Sequence, residues 1–310
     1  MTETQHTADE TDAQGSNIYI QSGGDLWRSM SDIVTAFVDE AIFEFEDDED
    51  EDPRVRTEVV DVANVAMLSV EVPAESFSSF VSDGSRLGLD LSELGKTTQY
   101  ARKGRSSDDS GDPLVLRETD GRVYIDVHRP DMSRRSSFRT LSTDAMRPEP
   151  DRPDLPLKWE GTVDVSTLRD ALRATEERFD SISLSTRDHE ADPAGNATSP
   201  LCLYSGETDG DGDVTREDGF KTRERVLSAS VDDDEPTPVR SLYSLDYLVR
   251  GVDALSAGGV ERVLLSLGDA LPLSLKWSES TYGISGEFVL APRVAGDGSE
   301  INPDNQTWEW

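Results

Sequence analysis

The alternation of apolar and polar positions is clearest near the end of the chain, where it changes from a helical to a strand period. Apolar residues first recur at helical spacing after Ser244, a candidate N-cap, and the run stops at Gly258-Gly259; its members are Leu245, Leu248, Val249, Val252 and Leu255. Residues 262–267, 271–277 and 284–291 then alternate with a period of two, which is typical of antiparallel strands that bury one face. This stretch therefore predicts one helix followed by a short antiparallel meander.

The first half of the chain shows related patterns. A helix capped by Asp25 is predicted after a first strand, and a second helix is predicted over 91–105. Asp120-Gly121 is a hairpin signal between two strands. The predicted strands of this half are 17–21, 41–45, 56–60, 114–117, 123–127 and 136–141.

A proline-rich segment separates this half from a second one. Residues 147–156 contain four prolines, which exclude a helix or a central strand and indicate an extended linker. A strand at 157–163 and a helix capped by Ser166 follow, and then the strands 181–185, 201–204, 213–217 and 225–230. Both halves order their strands and helices alike, which indicates a duplicated α+β architecture. We expect an acidic disordered extension, a first domain, a connecting linker, a second domain and a tail, at 1–16, 17–145, 146–157, 158–295 and 296–310.

Acidic residues outnumber basic ones 64 to 30, for a net charge of −34. Such a charge destabilises a compact state through self-repulsion, and molar salt screens it to a Debye length of about 3 Å. We therefore predict a cytoplasmic protein of a high-salt cell. A disordered acidic protein is the other interpretation, and the periodic segments in both halves argue against it. The acidic run at 46–52 is expected to be a solvated loop.

Little in the chain supports catalysis or metal binding. Its single cysteine is Cys202, and its three histidines have no ligand spacing to it or to one another. The run at 209–214 resembles the start of a calcium loop, but Val214 stands where glycine is needed. No apolar run approaches the roughly 20 residues of a membrane span, and the polar N-terminus is unlike a signal peptide. We predict no catalytic residue, metal, cofactor or membrane segment.

Basic residues concentrate on the predicted helices, which is unusual in so acidic a chain. These residues are Arg28, Lys96, Arg102, Lys103, Arg105, Arg169, Arg173 and Arg250. Lys96 and Lys103 are seven residues apart, and Arg169 and Arg173 are four apart, so each pair shares a helix face. Ordinary ion pairing, such as Arg169 with Asp170, would explain any one of them. As a set on four helices, they predict a positive surface for phosphate groups.

Four motifs carry a family resemblance. They are Asp-Val-Ala-Asn-Val-Ala-Met-Leu at 61–68, Ser-Leu-Tyr-Ser-Leu-Asp-Tyr-Leu at 241–248, Gly-Asp-Ala-Leu-Pro-Leu at 268–273 and Leu-Ala-Pro-Arg at 290–293. In this order they resemble the archaeal and eukaryotic sliding clamps, the PCNA family. The resemblance implies a ring of three subunits, each with two similar domains. Helices would line a hole for duplex DNA and contact phosphates without reading bases, and sheets would form the outer wall. It also implies a non-enzymatic processivity factor that an ATP-driven clamp loader opens and that tethers DNA polymerase.

The resemblance further implies a site for partner peptides, mostly PIP-box motifs, under the interdomain linker. The matching positions are Val60, Asn64, Val65, Met67, Leu155, Pro272, Val289, Ala291 and Pro292. An apolar pocket of this kind accepts the anchors of a short helical turn. The other interpretation is that these residues close the core of each domain.

Several positions depart from the family pattern. Arg152 stands where the linker usually offers an apolar anchor, and Val289 stands where an aromatic is common. The strand at 136–141 would be one subunit edge, with 213–217 as the opposing edge. Two other functions stay open. One is a clamp-fold interaction protein that closes no homotrimer and pairs or competes with a host clamp. The other is an acidic binding module unrelated to DNA.

Overall fold

A computed structural model describes the chain at residues 17–47, 52–101, 111–147, 155–176, 178–186, 190–191, 197–198, 201–208, 214–221, 239–278 and 280–293. The helices in this part are α1 (Gly24–Thr35), α2 (Leu91–Thr98), α3 (Val165–Glu176) and α4 (Leu245–Ala257). The strands of the first half are β1 (Ile18–Gly23), β2 (Glu40–Glu46), β3 (Arg54–Val60), β4 (Ala66–Pro73), β5 (Ser79–Ser82), β6 (Arg86–Asp90), β7 (Pro113–Thr119), β8 (Arg122–His128) and β9 (Ser133–Arg139). Those of the second half are β10 (Trp159–Asp164), β11 (Ser181–Thr186), β12 (Glu190–Ala191), β13 (Ala197–Thr198), β14 (Leu201–Thr208), β15 (Val214–Lys221), β16 (Arg240–Ser244), β17 (Arg262–Leu267), β18 (Leu273–Trp277) and β19 (Ser285–Leu290).

The strands form three larger antiparallel sheets and one two-stranded ribbon. The sheet orders are β10-β17-β18-β19-β4-β3-β2-β6, β5-β1-β7-β8-β9 and β15-β14-β11-β16. Each half of the chain contributes four strands to the eight-stranded sheet and owns one of the smaller sheets. The predicted α+β class with two similar halves is thus confirmed.

The two halves join through β4 and β19. Their register runs from Ala66 opposite Leu290 to Glu71 opposite Ser285, so one sheet continues from the second half into the first. Phe288 of β19 is fully buried and lies against the Phe37 ring, with 5.1 Å between ring centroids. Because Phe37 follows α1 in the first half, one hydrophobic core spans both halves.

The helices form one layer. Helix α2 contacts α1, α1 contacts α4, and α4 contacts α3. Helix α1 in the middle buries Trp27, Met30, Ile33 and Val34. We call the row α2-α1-α4-α3 the helix layer. None of these four helices is both long and apolar enough to cross a membrane.

Helix α2 is shorter than predicted. It ends at Thr98, whereas the sequence pattern predicted a helix to residue 105. The hydroxyls of Thr97 and Thr98 donate to backbone carbonyls of the preceding turn, at 2.8 and 3.2 Å. Ala101 is buried, so the chain turns inward there.

Two predicted helix caps are wrong. Gly23 precedes α1, so Asp25 lies inside the helix, and α3 begins at Val165, before Ser166. In both cases the helix starts at the residue after a strand ends, so the position before the helix is taken by the last strand residue, Gly23 or Asp164. The hairpin signal at Asp120-Gly121 is confirmed: both residues have positive φ, 53° and 70°, between β7 and β8.

The acidic run at 46–52 is only partly a loop. Glu46 belongs to β2 and forms an ion pair with Arg54 of β3. Other predictions lie outside the described residues: the extension at 1–16, the strand at 225–230 and the tail at 296–310.

Candidate functional site

Three predicted partner-site residues stand side by side where the two halves join. Val60 of β3, Met67 of β4 and Val289 of β19 are register partners, so their side chains share one face of the sheet. Val289 is buried, whereas Val60 and Met67 are half-buried. The neighbouring Phe288 points the other way, toward α4. The row therefore lies on the outer face of the sheet, away from the helix layer.

The loop between β3 and β4 is organised by one buried carboxylate. Asp61 is 4% exposed and accepts hydrogen bonds from the backbone N–H groups of Ala63, Val65 and Ala66, at 2.9, 2.7 and 2.8 Å. Asn64 adopts a positive φ of 57° at the tip. Asp61 thus fixes the positions of Asn64 and Val65, two predicted partner-site residues.

Asp61 also joins the loop to the second half. The hydroxyl of Tyr247 on α4 donates to the Asp61 carboxylate at 2.8 Å. Burial would raise the pKa of Asp61, but the three backbone donors and Tyr247 outweigh it and lower that pKa. The same hydrogen bond is the main reason that the pKa of Tyr247 is raised. The carboxylate is therefore held ionised by contacts from both halves.

Arg147 attaches the start of the linker to this loop. Its guanidinium donates to the Asp61 carbonyl at 2.7 Å and to Asn64 Oδ1 at 3.0 Å. The exposed Val62, with 86% of its surface accessible, sits on the same loop. Residues 148–154, which include Arg152, lie outside the described part of the chain.

The segment after β19 completes the region. The Ala291 N–H donates to the Val65 carbonyl at 2.8 Å. A cavity of about 710 Å³ lies beside it, and its lining combines apolar and aromatic residues, among them Val65, Ala291 and Pro292, with the acids Glu176, Asp180 and Asp246. The structure thus gathers Val60, Asn64, Val65, Met67, Val289, Ala291 and Pro292 around the joint between the halves. Leu155 and Pro272 are half-buried and precede β10 and β18 of the same sheet.

Five of the eight predicted phosphate-binding residues are described; they lie on the helix layer and are already engaged. Arg28 donates to the backbone carbonyls of Gln99 and Ala101, at 2.6 and 3.0 Å, and so fastens α1 to the end of α2. Lys96 pairs with Glu93 at 2.8 Å on α2. Arg250 pairs with Asp246 at 2.9 Å and lies over the Tyr247 ring, 5.2 Å from its centroid.

Arg169 and Arg173 share one carboxylate. Both reach from α3 to Asp253 on α4, at 2.8 and 2.7 Å. The local pairing of Arg169 with Asp170 that the sequence suggested is therefore wrong. Arg102, Lys103 and Arg105 fall outside the described residues.

The helix layer is consequently not a free positive surface. In their described residues, the four helices carry five basic and seven acidic side chains. The bases are Arg28, Lys96, Arg169, Arg173 and Arg250, and the acids are Asp25, Asp32, Glu93, Asp170, Glu176, Asp246 and Asp253. The reserve of positive charge predicted from the sequence is balanced by carboxylates on the same layer.

Among the strands that end a sheet within the described residues, β9 and β15 carry the most contrasting charges. Strand β9 ends the five-stranded sheet, and β15 ends the four-stranded sheet. Three arginines of β9 are exposed: Arg134, Arg135 and Arg139. Arg135 forms an ion pair with the buried Asp126 at 2.6 Å. Arg139 is the register partner of Arg122 and forms no ion pair with a carboxylate of the described residues. Residues 207–218, around β15, contain six acids and one arginine.

Sequence reasoning missed two functional candidates, Tyr247 and Asp253. Tyr247 lies in one of the family motifs, but its contact with Asp61 spans 186 residues. Asp253 meets its arginines across 80 and 84 residues. No local pattern signals either contact.

The described residues hold no cluster of three His, Cys, Asp or Glu side chains that would suit a metal ion. The His128 ring forms a hydrogen bond with Ser133, with 3.2 Å between Nδ1 and the hydroxyl oxygen. The His128 ring therefore belongs to the end of the β8–β9 ladder.

Comparison with known proteins shows which proteins this chain is similar to. No family model matches the chain. It is 28% identical over 280 residues to a DNA polymerase sliding clamp of Methanocorpusculum labreanum, covering 88% of this chain and 97% of the relative. It is 26% identical over 273 residues, with the same shares, to a DNA polymerase sliding clamp of Haloarcula marismortui.

Solved structures agree in fold. A. fulgidus PCNA, in a structure with the C-terminal region of FEN-1, superposes with a TM-score of 0.71 at 21% identity, covering 90% of this chain and all of that one. PCNA from Thermococcus kodakaraensis gives 0.69 at 20% identity, covering 89% and 100%. The resemblance predicted from four motifs is confirmed: the chain is similar to DNA polymerase sliding clamps over most of its length, and it has the PCNA fold.

Proposed function

We propose that the chain is a DNA polymerase processivity factor, a non-enzymatic clamp that encircles duplex DNA and tethers replication and repair proteins. The observation that carries this proposal is its match to DNA polymerase sliding clamps over 97% of their length. The continuous helix layer, backed by sheets, is a suitable lining for a duplex. The acidic composition and the Haloarcula relative favour the cytoplasm of a high-salt cell. The domain bounds 17–145 and 158–295 stay predictions.

Retention on circular DNA tests the proposal. Clamp loaded onto nicked plasmid by a clamp loader and ATP, in molar potassium chloride, should stay with the plasmid on a sizing column. Cutting the plasmid once should release it, because a ring slides off a free end. Equal retention on circular and linear DNA would refute a topological mechanism.

We propose that partner peptides bind at the joint between the halves. The outer-face row of Val60, Met67 and Val289 offers an apolar floor, and the loop held by Asp61 borders it. The cavity beside Ala291 and Pro292 extends the surface toward α4. These contacts suit a short peptide with apolar anchors.

We propose further that three copies close the ring through β9 of one subunit and β15 of the next. Both strands have an unpaired edge, so each can extend the other's sheet. The charges are complementary, since β9 carries arginines and the residues around β15 are mainly acidic. Arg122 and Arg139 face each other across β8 and β9, and such a like-charged pair costs stability unless an anionic group lies beside it.

Arg139→Glu separates folding from assembly. It places a carboxylate opposite Arg122, so the subunit should be as stable as the wild type or slightly more so. The same change removes positive charge from the edge, and subunit association should weaken by at least about tenfold. Light scattering on a sizing column measures the assembly, and denaturant unfolding measures the fold.

Lys158→Glu is the matched control, because Lys158 is exposed, precedes β10 and lies on neither edge strand. It changes the net charge equally and should leave the trimer intact. If the Arg139→Glu variant forms the same trimer as the wild type, β9 is not part of the interface between subunits. A wild-type monomer would favour a clamp-fold protein that pairs with a host clamp.

A further inference from the structure

Asp253 occupies a central place in the helix layer. Its Oδ1 accepts from Arg169 Nε at 2.8 Å and from Arg173 Nε at 3.2 Å, and its Oδ2 accepts from Arg173 at 2.7 Å. The contact with Arg173 is therefore bidentate, the geometry that a guanidinium also offers to phosphate. Arg169 and Arg173 are two of the residues predicted to contact DNA, and both are drawn toward one carboxylate.

This cluster is open to solvent. The side chains of Arg169, Arg173 and Asp253 are 38%, 50% and 30% exposed. Exposed ion pairs of this kind are weak, because water and salt screen them. Each guanidinium has five N–H donors; Arg169 uses one of its donors on Asp253 and Arg173 uses two. An incoming phosphate can therefore reach both arginines without removing a buried group.

The charged residues around Asp253 decide how strongly this carboxylate affects the local net charge. Arg250 on the same helix is paired with Asp246, and Lys96 with Glu93. Asp32, Glu176, Asp246 and Asp253 all line one groove of the layer. Neutralising Asp253 would leave two adjacent arginines without the carboxylate that they share, whereas neutralising any other acid of this cluster would leave that carboxylate in place.

We propose that Asp253 is an internal competitor of DNA phosphate: it holds Arg169 and Arg173 in place and weakens the clamp's grip on DNA. The inference rests on the proposed DNA-binding function and adds a residue that tunes it. A phosphate that approaches the cluster takes over the guanidinium donors while Asp253 repels it. The balance favours a clamp that stays on DNA by topology and slides with little drag.

The test is equilibrium binding of a fluorescent 30-base-pair duplex, measured by anisotropy over a series of potassium chloride concentrations. A unit charge 4 Å from a phosphate changes binding by about fivefold even in water, so Asp253→Asn should tighten binding by about fivefold or more. If it frees one further phosphate contact per subunit, the slope of log K against log salt should steepen by about 0.9 for each. Stability in denaturant should change little, because the cluster is exposed.

Asp170→Asn is the matched control. Asp170 is exposed on the same helix as both arginines and forms no ion pair with either. It gives the same change in net charge, and we expect a smaller gain and an unchanged slope. Equal gains from the two variants, a loss of affinity in Asp253→Asn, or no duplex binding by any of the proteins would overturn the proposal. Release from linearised plasmid tests the proposed clamp function separately, so the two failures are distinguishable.

Discussion

Replacing Gly286 by alanine should lower the free energy of unfolding by about 3 kcal/mol, the upper end of the cost of overpacking a core. Gly286 lies on β19, between Val70 of β4 and Trp277 of β18. An added methyl group would overlap the carbonyl oxygen of Ser69 and come within 2.6 Å of the Trp277 ring. The carbonyl belongs to the backbone of the neighbouring strand, so relief requires the strands themselves to separate. Denaturant unfolding in molar potassium chloride measures the effect.

Ser285→Ala provides the control on the same strand. Ser285 is half-buried and already has a β-carbon, so its replacement should change stability by no more than about 0.5 kcal/mol. Equal stability of the two variants would contradict the close approach of β4, β19 and β18. Because Val289 lies three residues away on β19, we also expect Gly286→Ala to weaken partner-peptide binding.

Removal of the Asp61 carboxylate should have the largest effect on partner binding. Asp61→Ala leaves three backbone N–H groups and the Tyr247 hydroxyl without their acceptor. Unsatisfied buried donors cost about 1–3 kcal/mol each, and water entering the loop offsets part of this, so we expect a loss of about 2–4 kcal/mol in stability. The loop that positions Asn64 and Val65 would lose the hydrogen bonds that fix its conformation. Affinity for a PIP-box peptide, measured by calorimetry, should fall by at least about thirtyfold, the equivalent of 2 kcal/mol.

Tyr247→Phe is the graded control. It removes one donor of the four and keeps the ring against Arg250, so it should cost about 1 kcal/mol, the value of one hydrogen bond. If Asp61→Ala bound the peptide as tightly as the wild type, the loop would lie outside the partner site. If Tyr247→Phe matched Asp61→Ala, the backbone donors would contribute nothing.

Acid pH offers a second readout of the same carboxylate. The pKa of Asp61 is lowered in the folded protein, so the folded state binds this proton more weakly than the unfolded state does. Its contribution to stability is complete above the ordinary value of about 3.9 and is lost as pH falls through the lower folded value. Asp61→Ala should lack this part of the acid sensitivity.

The periodicity of the sequence located most strands and helices, because alternation and helical spacing are local consequences of burial. The hairpin at Asp120-Gly121 could be predicted from two neighbouring residues, because both readily adopt a positive φ. Predicting the ends of elements was harder: Thr98 ends α2 where the chain turns into the core, and α3 begins directly after β10. Local pattern does not encode where neighbouring elements lie.

The candidate sites divide in the same way. The motif at 61–68 marked the loop that we propose for partner binding, and helical spacing placed Arg169 and Arg173 on one face. The sequence could not predict which residue the arginines contact, because Asp253 lies 80 residues from Arg173. The four helices carry seven acids beside their five bases, so the bases alone overstated the positive charge of the helix layer.

The junction of β4 and β19 has a consequence for synthesis. Glu71 and Ser285 are register partners separated by 214 positions, so the ribosome must make nearly the whole described chain before β4 has its neighbour. Until then, the apolar strand Ala66–Pro73 presents an open hydrogen-bonding edge, the kind of surface on which nascent chains aggregate. The dense negative charge of the nascent chain opposes such encounters through mutual repulsion between chains. We therefore expect the acidic sequence to protect this fold from aggregation during translation.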